Sequence, residues 1–125
     1  MEDMIYRRTI HARHCLEASC YRGFEYKVAS VGAWPCAYIR IPENHPYFNK
    51  YYFEIDVKCH SKIDFTGDLV SMDGVPVEGF WIGWRYNAPG DFSGLDPEKG
   101  GQYHNTMDIV CECIDIINQL IERGK

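Results

Sequence analysis

Apolar residues fall at every second position through Phe24-Glu25-Tyr26-Lys27-Val28-Ala29-Ser30-Val31, the period of a half-buried strand. Gly32-Ala33-Trp34-Pro35 then reads as a turn, and Cys36-Ala37-Tyr38-Ile39-Arg40-Ile41-Pro42 as a second strand that proline ends, so the two predict a hairpin. Phe53-Glu54-Ile55-Asp56-Val57-Lys58-Cys59-His60 alternates most strictly of all and predicts a further strand. Ser61 to Gly67 is expected to turn and continue extended, and Asp73-Gly74 to form the tip of another hairpin. The strand after that tip, Gly79-Phe80-Trp81-Ile82-Gly83-Trp84-Arg85-Tyr86, is crowded with rings.

Near the end of the chain the period changes. Val110, Cys113, Ile114, Ile117, Leu120 and Ile121 form one helical stripe, with Asn105 or Thr106 as the cap, Asp108 in the first turn and Gly124 as the stop. The first twenty residues show neither period cleanly and read as a weakly assigned, polar N-terminal segment. These elements predict an α+β fold: a small antiparallel sheet of roughly four to six strands, with the C-terminal helix packed on one face.

The chain has 125 residues, which suits a single domain over 1–125. Apolar and charged fractions of 46% and 25% are those of a folded protein. Aromatic content, at 14% with nine tyrosines, exceeds what packing a small core asks for and points to pockets or interfaces, and with them to a homo-oligomer. A net charge of -5 with no basic run speaks against nucleic-acid polymers. No stretch has signal-peptide or membrane-spanning character, so a cytoplasmic setting away from membranes is expected, with six reduced cysteines.

Strong catalytic motifs are missing: there is no phosphate loop, nucleophile elbow or His-Glu-x-x-His helix. His45, His60, Asp64, Asp91 and His104 form a looser set from which an acid, a base and an orienting carboxylate could be drawn. His11, His14, Cys15 and Cys20 carry zinc-type donors without zinc-type spacing. Neither set assigns a catalytic residue, a metal or a cofactor. The loop Pro42 to Tyr52 holds a His-Pro pair and a cluster of rings, which either fold over the core or wall a pocket. The loop from Ala88 to Tyr103, with Gly90-Asp91, is long enough to be functional.

Alternation divides the aromatic strand into two faces. Phe80, Ile82, Trp84 and Tyr86 make the more apolar one and are expected under the helix. Trp81, Gly83 and Arg85 are then the expected ligand side, where a ring, an open backbone and a cation suit a nucleobase and a phosphate. Tyr51, Phe65, His45, His60 and Asp91 complete that predicted site.

Taken in order, Gly23, Cys36 to Pro42, His45-Pro46, Tyr51, His60, Phe65, Trp81-Ile82-Gly83-Trp84, Gly90-Asp91 and the terminal helix resemble a family of small uncharacterised phage and mobile-element proteins. That family carries a glycine pair after the histidine, an aspartate after the aromatic strand and a histidine near Gly-Asp. Here those places hold Ser61-Lys62, Arg85 and Ala88 or Pro89. The resemblance implies a phage anti-defence protein, and the departures favour a binder over an enzyme. The expected function is a sponge that sequesters a small nucleotide-like immune signal without cleaving it. The alternatives are hydrolysis of such a signal through His60 and Asp91, or direct inhibition of a defence enzyme through the Tyr47 to Tyr52 loop.

Overall fold

A computed structural model describes residues 8–11, 14–30, 35–59, 62–70, 76–86 and 105–125. Its strands are β1 (Arg8–His11), β2 (His14–Tyr21), β3 (Phe24–Ser30), β4 (Pro35–Ile41), β5 (Phe65–Val70) and β6 (Pro76–Arg85). A single α-helix among the described residues, α1, spans Thr106–Arg123. The sheet order is β1-β5-β6-β4-β3-β2. From β5 to β2 every pairing is antiparallel, while β1 joins the β5 edge in parallel. The fold is therefore the expected α+β type, with the helix on one face of the sheet.

Two hairpins fall where alternation places them: β3 with β4, in the register Val28↔Ala37, and β5 with β6, where Val70 pairs with Pro76. Their tips, including Asp73-Gly74, lie outside the described residues. A third hairpin, β2 with β3, turns at Arg22 and Gly23, with φ of 49° and 88°. Both values are left-handed, as a two-residue hairpin turn requires.

Within the weakly assigned N-terminal segment, Arg8–His11 and His14–Tyr21 supply the two edge strands of the described sheet. Alternation is unreadable in β2 because a bulge between Cys15 and Glu17 shifts the register, and Leu16 to Cys20 are exposed on both faces. A correction concerns Phe53 to His60, expected as a strand. Tyr52–Glu54 is a 3-10 turn, and 55–59 belongs to no strand of the sheet. Its alternation is nonetheless real, since Ile55 is buried and Val57 and Cys59 pack on the core. Helix side chains take the place of a neighbouring strand. Lys58 N–H donates to Gln119 Oε1 at 2.7 Å, Gln119 Nε2 donates to Lys58 O at 2.7 Å, and Arg123 Nε donates to Asp56 O at 2.9 Å.

The helix begins on Asn105, whose side chain accepts from Asp108 N–H at 2.8 Å, while Asp108 Oδ2 accepts from Asn105 N–H at 3.3 Å. It buries Ile109, Val110, Cys113, Ile116, Ile117 and Leu120 against the sheet. There they meet Phe24, Tyr26 and Val28 of β3, Ala37, Ile39 and Ile41 of β4, and Phe80, Ile82 and Trp84 of β6. The opposite face of the sheet is buried as well. Ala29, Cys36, Tyr38, Phe65, Leu69 and Trp81 form a second apolar cluster there.

Candidate functional site

The two faces of β6 have the parity read from the sequence. Phe80, Ile82, Trp84 and Tyr86 belong to the helix-covered core. Trp84 Nε1–H donates to the Tyr86 hydroxyl at 3.0 Å, and that hydroxyl donates to Glu112 on the helix. These two bonds give the Trp84 indole N–H and the Tyr86 hydroxyl their partners and join the sheet to α1. Burial, together with the bond to Glu112, pushes the Tyr86 phenol upward from its ordinary value of 10.0.

The other face does not offer the open wall expected of it. Trp81 is 0% exposed, and its indole N–H is satisfied by Glu78 O at 3.1 Å. The Tyr38 ring already occupies the room over Gly83, so a Cβ built there would sit 2.6 Å from Tyr38 Cδ1. Phe65 is buried edge-on against Tyr38, with ring centroids 5.8 Å apart. Of the predicted trio only Arg85 is exposed, and its Nε donates to Asp64 Oδ2 at 2.7 Å. The cause is legible in β4, where Cys36 to Ile39 is apolar at both parities, as a strand buried on both faces must be. Tyr38 and Cys36 share a contact at 3.4 Å in this layer, and desolvation raises both of their pKa values.

His45 is also placed as structure. Its ring is buried, Nε2–H donates to Leu120 O at 2.7 Å, and Nδ1 accepts from Tyr47 N–H at 3.0 Å. These two bonds place the donor at Nε2 and the acceptor at Nδ1, and tie the His-Pro loop to the last turn of α1. Phe24 packs against the same ring, with centroids 6.2 Å apart. His60, Asp91 and His104 lie outside the described residues, so of the looser catalytic set only His45 and Asp64 are placed, each in the bonds just given. Among the described residues no group of three His, Cys, Asp or Glu is placed to hold a metal ion.

The ring-rich loop divides between its two expected fates. Its first half folds onto the core: Tyr47 and Phe48 pack against it, with Phe48 and Phe80 centroids 5.5 Å apart. Successive turns, His45 N–H to Pro42 O and Phe48 N–H to His45 O, both 3.0 Å, hold it there. Its second half faces water. Tyr51 stacks on Phe53 at 5.2 Å and 7° between planes, Tyr52 meets Phe53 edge-on at 5.5 Å, and Phe53 is 71% exposed. The sequence pattern misassigned Phe53 to a strand; the run of three consecutive rings, which breaks alternation, was the available signal.

This aromatic knuckle is tied down. Tyr51 N–H donates to Glu54 Oε2 at 2.9 Å and Glu54 N–H to Tyr51 O at 3.0 Å. Just beyond it Asp56 N–H donates to the Tyr47 hydroxyl at 3.2 Å, and Arg123 grips Asp56 from the helix.

A cleft of about 330 Å³ opens beside β6, lined by Arg40, Glu43, Phe48, Asp68, Glu78 and Phe80 among others. Gly79, at φ 117°, leaves space for the Arg40 side chain, which a Cβ would meet at 2.5 Å. Arg40 in turn pairs with Glu25 at 3.1 Å and Glu78 at 3.8 Å. Three carboxylates around one already paired guanidinium make this an acidic cleft. Comparison with protein-family models, curated proteins and solved structures finds no match to this chain.

Proposed function

We propose that this chain is a non-catalytic binding domain that docks on a protein partner through Tyr51, Tyr52 and Phe53. The observation that carries this is the exposed knuckle, with Phe53 71% and Tyr52 41% exposed on a turn held by its own hydrogen bonds. Exposed rings fixed in place lose little entropy on binding and are the residue type that dominates protein contacts. The resemblance to phage proteins suggests the setting: an infected bacterial cytoplasm, with a defence enzyme as the partner.

Sequestering a small nucleotide-like signal is the second reading, and the cleft beside Arg40 gives it room of the right order. Its acidic lining favours a ligand that presents a cationic or hydrogen-donating group rather than bare phosphate.

Affinity capture from bacterial lysate with active defence systems separates the two. The expected result is one stoichiometric protein, lost with Phe53→Ala and retained with Arg85→Ala. Recovery of no stoichiometric protein, with a small molecule released from the purified chain instead, would overturn the protein-docking reading.

A further inference from the structure

The outer edge of β2 forms the second unusual surface. Leu16 to Cys20 are five consecutive exposed residues on an edge strand, and among the described residues β2 has no neighbour besides β3. Edge strands are normally blunted by lysine, proline or a bulge. The stretch His14–Tyr21 contains neither lysine nor proline, and its bulge ends at Glu17. Glu17 to Tyr21 is therefore a regular strand. Tyr21 and Phe24 flank a two-residue turn and exchange their backbone bonds, so by alternation Ser19 also bonds inward while Ala18 and Cys20 turn N–H and C=O outward.

An independent feature lies on the helix. Met107, Cys111, Ile114 and Asn118 share one flank of α1 by their spacing. Asn118 Oδ1 accepts from Arg22 Nη1 at 3.0 Å, which turns that flank toward the β2–β3 hairpin. The opposite flank, carrying Gln119 and Arg123, faces the 56–58 segment. Met107 is 66% exposed and Leu16 42%, so two large exposed apolar side chains belong to the elements on this side of the molecule.

We propose that two copies of this chain pair antiparallel along β2, about a two-fold axis at Ser19, to form one continuous sheet. Such an axis keeps each face of the sheet with its own kind, so only residues of like parity meet. Centred on Ser19, Ala18 pairs with Cys20 of the other copy and Glu17 with Tyr21, giving about four backbone hydrogen bonds and no facing carboxylates. The same axis brings the Met107, Cys111 and Ile114 flanks of both helices to the seam on one face, apolar toward apolar. A second copy satisfies edge and helix flank together, which an extended peptide does not. This inference is independent of the aromatic knuckle, so Phe53→Ala leaves the pairing intact.

Sedimentation of the full chain tests it. The expected species has twice the chain mass of 14.5 kDa. Ala18→Pro removes only an outward N–H, and Met107→Glu charges an exposed position. Each is expected to give a folded single chain with unchanged circular dichroism. In a Cys20→Ser background, Ser19→Cys sits at a non-hydrogen-bonded pair with Cα atoms about 4.5 Å apart, and is expected to cross-link on mild oxidation. A wild-type chain that sediments alone at every concentration, or a dimer that both Ala18→Pro and Met107→Glu leave whole, would overturn the pairing. A dimer that those variants break but Ser19→Cys never links would overturn the register at Ser19.

Discussion

Trp81 and Trp84 on β6, with Tyr86 just past its end, and Tyr51, Tyr52 and Phe53 at the 3-10 turn are comparable runs of rings with opposite fates. The first three are buried, at 2% exposure or less, each in one of the two apolar clusters, while the second three sit at the surface with Phe53 the most exposed. Ring density alone does not mark a site. What decides is whether neighbouring strands carry apolar residues at the same parity. β4 does so for both faces of β6, whereas the knuckle lies outside the sheet, where no strand flanks it among the described residues and Phe53 stays 71% exposed.

The largest effect expected from breaking this comparison is at Trp84. Trp84→Ala empties a volume between sheet and helix and removes the donor to Tyr86. It is expected to cost about 3–5 kcal/mol in denaturant unfolding.

A smaller effect is expected where the loop crosses from core to surface. His45→Ala leaves Tyr47 N–H without its acceptor and takes from Leu120 O one of its two donors, the other being Gly124 N–H at 3.0 Å, a loss of about 1–3 kcal/mol. Faster amide exchange at Tyr47 and in the last helical turn is the measurement that localises it.

The smallest effect separates buried from exposed titratable groups. Desolvation pushes the Cys113 thiol from 9.0 up to about 12, and raises Cys36, Tyr38 and Tyr86 as well. The folded chain then holds protons that the unfolded chain releases. Stability contributed by these groups is complete below about pH 9 and declines as the pH rises toward their raised values. Unfolding midpoints measured upward from pH 8 are expected to fall, and a Cys113→Ala variant to fall less steeply. Midpoints that hold constant through pH 11 would contradict the burial of these groups.

How much of this was legible follows the same physics. β3 and the helix were readable because each has one period and a continuous partner, and β4 and β6 because turn residues bound a short apolar run. The strand expected at Phe53 to His60 misled because Gln119 and Arg123 replace a neighbouring strand, and alternation cannot distinguish the two. β2 was illegible because an edge strand exposed on both faces, with a bulge at Leu16, has no apolar parity to show. The face of Trp81, Gly83 and Arg85 has the predicted parity, but Trp81 and Gly83 are buried in it rather than open to a ligand. The unbroken apolar run Cys36 to Ile39 was the sign that this face is buried too. His60 and Asp91 lie outside the described residues.

Side-by-side unfolding of Trp81→Ala and Phe53→Ala is the most direct test of the division between packing rings and surface rings. Trp81→Ala is expected to lose about 3–5 kcal/mol and Phe53→Ala to stay within about 0.5 kcal/mol of the parent chain. Equal losses, or a Trp81→Ala variant as stable as the parent, would contradict it.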